Sequence, residues 1–96
     1  MASPSLLPLR PVTGSVVESA PRLTWKPRAR SEYYNVQLFR KGTRVLVRWP
    51  AHASLSLAAV KLPPGTYVWY VWPAIRHAGK APTFGDLIGR ATFVLE

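Results

Sequence analysis

Residues 62–73, with the sequence LPPGTYVWYVWP, predict a turn followed by a strand. Two prolines and a glycine favour the turn, because proline restricts φ and glycine accepts conformations that other residues avoid. The β-branched and aromatic residues at 66–72 predict a strand, which Pro73 is expected to end. Both faces of this strand are apolar, so it is predicted to lie in the centre of a sheet. One face carries Tyr67, Trp69 and Val71, and the other carries Val68, Tyr70 and Trp72.

The rest of the chain repeats this pattern of short extended runs that end at a glycine or a proline. No window has a sustained apolar period of 3.6 residues, so helix is disfavoured. After a proline-rich segment at 1–11, strands are predicted at 15–18, 22–25, 33–39, 43–49, 54–58, 66–72 and 90–95. Residues 74–89 are expected to form a long loop. Seven short antiparallel strands predict an all-β sandwich, folded as one domain over residues 1–96.

Alternation within residues 33–39 separates a core face from an outward face. Tyr34, Val36 and Leu38 share one side and are predicted to face the core. The amides of Asn35 and Gln37 mark the other side as outward. The predicted core comprises Leu23, Trp25, Tyr34, Val36, Leu38, Leu62, Tyr67, Trp69, Val71 and Phe93.

In three segments, the sequence resembles a fibronectin type III domain of the divergent bacterial type. Residues 21–25 (PRLTW) are similar to the family's second strand with its core tryptophan, here Trp25. Residues 32–38 (EYYNVQL) are similar to its third strand, with Tyr34 at the aromatic core position. Residues 62–69 (LPPGTYVW) are similar to the turn and tyrosine corner that open its sixth strand. The resemblance implies a seven-stranded immunoglobulin-like sandwich in which the Tyr67 hydroxyl bonds to backbone upstream.

The resemblance also implies an extracellular or cell-envelope module that sits beside neighbouring domains in a longer chain. The Arg-Gly-Asp tripeptide of some animal members is absent, so integrin adhesion is not implied. Residues 1–3 lack the basic and apolar regions of a signal peptide, and no stretch approaches the ~20 apolar residues that span a bilayer. We therefore expect no transmembrane segment.

Composition narrows the chemistry that the chain can perform. It has 13 lysines and arginines against 4 acidic residues, a net charge of +9, and no cysteine. Neither a disulfide nor a thiolate metal site can form. The two histidines, His52 and His77, have no metal-ligand spacing, and no strained nucleophile turn is present. We predict no catalytic residue, no metal site and no cofactor.

Two groups of residues are candidates for binding. The first is an aromatic sheet face formed by strands 33–39 and 66–72, with Trp49 at its edge, where rings beside amides suit a sugar or a protein. Its residues are Tyr33, Gln37, Phe39, Tyr70 and Trp72. The second is a basic loop end, where three connections of a sandwich would meet. Its residues are Lys26, Arg28, Arg30, Arg76, His77 and Lys80.

These features favour a non-catalytic interaction or spacer module, suited also to use as a stable binding scaffold. A protein or polysaccharide partner is preferred to nucleic acid. One alternative is a polyanion or nucleic-acid binder that combines the basic loops with exposed aromatics. Another is a carbohydrate-binding appendage of a glycan-active enzyme. The simpler possibilities are a solvated basic end and an aromatic face that a flanking domain covers. The oligomeric state stays open.

The amino-acid usage also predicts a thermostable protein. The chain has ten prolines and one methionine, and Asn35 and Gln37 are its only amides. Few thermolabile residues and many prolines are typical of proteins from hot environments, although codon bias produces a similar pattern. We expect thermal unfolding, followed by circular dichroism, to have a midpoint above ~60 °C. A lower midpoint would leave codon bias as the explanation.

Overall fold

The computed structural model describes residues 9–77 and 79–96, with the side chains of all of these except 76, 77, 80 and 82. The prolines at positions 4 and 8 of the predicted N-terminal segment therefore lie outside the described residues. The described residues contain strands and no helix. In chain order the strands are β1 (Ser15–Val17), β2 (Arg22–Thr24), β3 (Tyr33–Arg40), β4 (Thr43–Arg48), β5 (Ser54–Ser56), β6 (Gly65–His77), β7 (Lys80–Phe84) and β8 (Gly89–Leu95).

The strands form two sheets. The larger sheet has the order β1-β8-β6-β3-β4, with β7 paired to the distal part of β6, and the smaller sheet pairs β2 with β5. The central position predicted for the aromatic strand is thus confirmed. One pairing departs from the antiparallel prediction, because β1 runs parallel to β8. The reason is that the chain first bridges β2 through Arg10 and Thr24, and then crosses to the larger sheet at Gly14.

The long loop expected at 74–89 is wrong. β6 continues through Pro73 to His77, and β7 returns beside it with Ala74 opposite Phe84. Proline is tolerated here because its missing N–H faces a gap in the ladder. The Pro73 carbonyl accepts a hydrogen bond from the Gly85 N–H at 3.0 Å. Gly85 lies in the gap between the end of β7 at Phe84 and the start of β8 at Gly89. Residues 9–77 and 79–96 therefore form eight strands rather than seven.

The hydrophobic core lies between the two sheets and joins side chains from both. Nine of the ten predicted core residues are buried, whereas Leu62 is only partly buried. The aromatic rings meet at close range: Trp25 contacts Tyr34 edge-on at 5.4 Å, and Tyr67 stacks on Phe93 at 5.3 Å between centroids. The core also contains residues that the alternation pattern did not single out, namely Leu57, Ala91 and Leu95.

The turn before β6 is held by two side chains that bond to successive carbonyls. The Tyr67 hydroxyl donates to the Pro63 carbonyl at 2.5 Å, and the Arg40 Nη2 donates to the Pro64 carbonyl at 3.0 Å. Gly65 has a φ of 152°, and a Cβ there would lie 2.8 Å from the Arg40 Nε. Only glycine therefore suits this position, because a side chain would be strained and would displace the guanidinium.

We expect Tyr67→Phe to lower the free energy of unfolding by about 1–2 kcal/mol, because it leaves a carbonyl at the turn without its donor. Tyr70→Phe is the matched control, since its hydroxyl belongs to the half-buried outer face, and it should change stability by less than about 0.5 kcal/mol. Urea unfolding of both variants checks this. Equal stabilities would contradict the structural role of the Tyr67 hydroxyl.

Burial also raises the pKa of the Tyr67 phenol above 10.0, and the Arg40 guanidinium opposes this only in part. The raised pKa means that the folded state retains the proton to a higher pH than the unfolded state. The resulting contribution to stability is complete below pH 10 and is lost as the pH rises through the folded pKa. We expect urea unfolding between pH 9 and 12 to show a smaller loss of stability in Tyr67→Phe than in the parent.

Candidate functional site

The outward side of the larger sheet brings together the five residues of the predicted aromatic face. The β3–β6 register places Gln37 opposite Tyr70 and Asn35 opposite Trp72. Opposite residues of an antiparallel pair share a face, so these side chains lie on the side away from the core. Phe39 belongs to the same side and contacts Tyr70. We call this surface the outer aromatic face, comprising Tyr33, Asn35, Gln37, Phe39, Trp49, Tyr70, Trp72 and Phe84.

Three rings form a continuous group on this face. Phe39 meets Tyr70 edge-on with centroids 5.6 Å apart, and Tyr70 stacks on Trp72 at 5.8 Å with 17° between the planes. The guanidinium carbon of Arg90, on β8, lies 5.9 Å from the centre of the Tyr70 ring. All three rings are half-buried, so each presents part of its surface to solvent. This group offers a flat apolar surface beside the guanidinium of Arg90.

Tyr33 does not have the exposed position that the sequence predicts. Its ring lies on the expected face, but the side chain is only 6% exposed, because the Trp49 ring packs over it at 5.7 Å. Trp49 also lies 5.7 Å from Phe84, and these two are 48% and 51% exposed. Trp49 and Phe84 therefore replace Tyr33 as the accessible rings at this end.

Sequence reasoning missed Phe84 because it treated residues 74–89 as a loop. A signal was present: Gly79, which has a φ of 67°, lies between two runs containing β-branched or aromatic residues, as in a tight hairpin. The register of the hairpin places Phe84 opposite Ala74, on the outward side of the sheet. A strand assignment for residues 80–84 would have placed this ring on the aromatic face.

A polar pair lies among the rings of β3. The Gln37 Nε2 donates to the Asn35 Oδ1 at 2.7 Å. Asn35 is only 1% exposed although it faces outward, and the register places it opposite Trp72. Gln37 is half-buried. The hydrogen bond satisfies one buried oxygen and leaves Gln37 as the amide nearest to solvent, where it can still meet a ligand.

The basic loop end lies near Tyr33, where β3 begins, and so at the opposite end of this strand from Arg40. Lys26, Arg28 and Arg30 are exposed on the connection between β2 and β3. That connection is anchored at both sides, since the Arg28 N–H donates to the Tyr34 hydroxyl at 3.1 Å and the Glu32 N–H to the Ala74 carbonyl at 3.0 Å.

The other two connections reach the same end. The Tyr34 N–H donates to the Pro50 carbonyl, which brings the residues around His52 close to β3. The β6–β7 hairpin carries Arg76, His77 and Lys80 in its backbone, and the side chains of these three lie outside the described residues. The structure thus brings the backbones of all three connections together.

No group of three or more histidine, aspartate or glutamate side chains close enough to hold a metal ion occurs in the part of the chain that the structure describes. Across residues 9–77 and 79–96, no helix has the length and apolar character needed to cross a membrane. No protein-family model matches the chain, and no curated protein or solved structure is significantly similar to it.

Proposed function

We propose that this chain is a non-catalytic interaction module of the fibronectin type III kind, part of a surface or secreted protein, that binds its partner through the outer aromatic face. Three features support the family proposal. Two sheets share one core, Trp25 and Tyr34 pack together in it, and the Tyr67 hydroxyl bonds four residues upstream, as in a tyrosine corner. The parallel direction of β1 and the extra strand β7 depart from the seven-strand antiparallel pattern.

The exposed rings on one face of the sheet are the observation that carries the binding proposal. The outward side of a two-sheet protein is ordinarily polar, because it faces water. Here Phe39, Tyr70 and Trp72 are half-buried, and Trp49 and Phe84 are half-exposed. Contiguous apolar surface of this kind marks an interaction site, and tryptophan and tyrosine dominate the binding energy of interfaces.

The chemistry of the face favours a protein or a polysaccharide as the partner. Flat rings stack on the apolar face of a sugar or pack against apolar side chains, while Gln37 supplies a donor and an acceptor. Two arginines accompany these rings, because the strand registers place Arg44 opposite Phe39 and Arg90 opposite Tyr70. A nucleic-acid strand needs a longer row of cations to neutralise its phosphates, so two separate arginines favour it less than they favour a protein or a sugar.

Amide NMR of the ¹⁵N-labelled chain, titrated with soluble β-glucan, xylan and mannan oligosaccharides, tests the proposal. We expect shifts at Gln37, Tyr70 and Trp72 that are insensitive to salt, and at least tenfold weaker binding in Trp72→Ala and Trp49→Ala. Val12→Ala is the matched control, because Val12 is 55% exposed, is apolar and lies outside the face. It should bind like the parent.

A protein partner is tested with the same spectra. If the partner is a second copy of the chain, the same amides shift with protein concentration and sedimentation shows a dimer that Trp72→Ala abolishes. A spectrum that moves with neither sugars nor concentration would argue against the outer aromatic face as a site for these partners. The chain would then act as a spacer.

A further inference from the structure

A small cavity opens at the basic loop end, between the turn at residues 28–31 and the β6–β7 hairpin. It has a volume of about 280 Å³ and is lined by Arg28, Arg30, Ser31, Pro73, Ile75 and Gly85, among others. Pro73 is buried, whereas Ile75 is 39% exposed although it is a large apolar side chain. The cavity therefore combines an aliphatic surface with two arginines.

Arg28 and Arg30 have no acidic partner among the residues that the structure describes. Arg22, Arg40 and Arg48 donate hydrogen bonds to protein oxygens. By contrast, the guanidinium groups of Arg28 and Arg30 have no hydrogen bond or ion pair with any residue that the structure describes. Of the lining residues that the structure describes, none is acidic. In a chain of net charge +9, this cavity is a place where an anion would meet unpaired cations.

Arg30 occupies a backbone position that arginine does not favour. The Ser31 N–H donates to the Arg28 carbonyl at 3.1 Å, which closes a four-residue turn with Arg30 at its third position. Its φ is 67°, in the left-handed region where glycine or asparagine is preferred. An arginine there is less stable than a glycine, because its Cβ disfavours this conformation. The turn thus has a charged side chain at a position where glycine would make the fold more stable.

We propose that this cavity binds one uronic acid residue of an acidic polysaccharide. The carboxylate lies between Arg28 and Arg30, whose planar donors match it, and the apolar face of the sugar ring lies against Pro73 and Ile75. The volume is just below the roughly 300 Å³ at which pockets for drug-sized ligands begin, so it admits a single ring of a longer chain.

The lining of the cavity favours a sugar over a nucleotide. None of the described residues that line it is aromatic, so they offer a base no ring to stack on. Pro73 and Ile75 instead offer the aliphatic surface that suits the C–H groups of a pyranose. The site is separate from the outer aromatic face. Ala74 and Phe84 are paired and point outward, and Ile75, the next residue along β6, points to the opposite side of the sheet. It therefore does not depend on the function proposed above.

The test is a titration of the ¹⁵N-labelled chain with a galacturonate hexasaccharide, with its methyl ester as the uncharged control. We expect shifts at the amides of Arg30, Ser31, Ile75 and Gly85 with the acid, and little change with the ester. Arg30→Gly should bind at least fivefold more weakly and yet unfold at the same temperature as the parent or higher. Arg28→Gln, which removes the charge without altering the turn, should also weaken binding.

Lys41→Gly is the matched control for Arg30→Gly. Lys41 has a φ of 53° and lies at the other end of β3, so the variant removes the same charge from the same kind of position. It should bind galacturonate like the parent. Unchanged binding in Arg30→Gly, equal weakening in Lys41→Gly, or equal binding of the ester would each overturn the proposal. Tighter binding of a single-stranded oligonucleotide at the same amides would overturn the choice of a sugar.

Because Trp72→Ala removes a ring from the other surface, it should leave galacturonate binding unchanged. If the outer aromatic face binds nothing, the cavity result still stands, and the reverse is equally true. The two proposals therefore fail separately.

Discussion

The packing of Tyr67, Trp69 and Val71 against the smaller sheet is the interaction on which the rest of the structure depends. These side chains are fully buried and belong to β6, which pairs with β3 on one side and with β8 on the other. A strand alternates its side chains, so burying this set directs Val68, Tyr70 and Trp72 to the opposite side. A slip of one residue would exchange the two sets, which is why the register of the sheet and the outer aromatic face are determined together.

The core contains unpaired polar groups, and the apolar area that its large rings bury stabilises the fold by more than these groups destabilise it. The indole nitrogens of Trp25 and Trp69 are buried without a hydrogen-bond partner among the described residues. Each unpaired donor costs about 1–3 kcal/mol. Burying a ring of 150–250 Å² contributes about 4–6 kcal/mol at 25 cal/mol per Å², and contacts such as the tilted Trp25–Trp69 pair at 6.0 Å add to that. The tryptophans are thus retained for their size.

The two candidate surfaces use different physics, although both adjoin the β6–β7 hairpin. The outer aromatic face offers ring area and an amide, and its interactions should depend little on salt. The cavity at the basic loop end offers two guanidinium groups above aliphatic side chains, so its interactions should weaken as salt screens them. The salt dependence of binding therefore distinguishes the two surfaces.

The features that arise from interactions between neighbouring residues were predictable from the sequence. Alternation in 33–39 and 66–72 identified the buried sets of β3 and β6, and the Pro-Pro-Gly turn located the start of β6, because side-chain direction and backbone restriction are properties of neighbouring residues. Contacts between segments that are distant in sequence were not predictable in this way, and they determine which side chains are covered. Tyr33 is covered because Trp49, from the segment that follows β4, packs on it. Pro73 continues a strand because the hydrogen-bond ladder beside it is interrupted. The parallel β1, the exposed Phe84 and the cavity below Arg28 and Arg30 likewise depend on segments distant in sequence, whose positions no local pattern encodes.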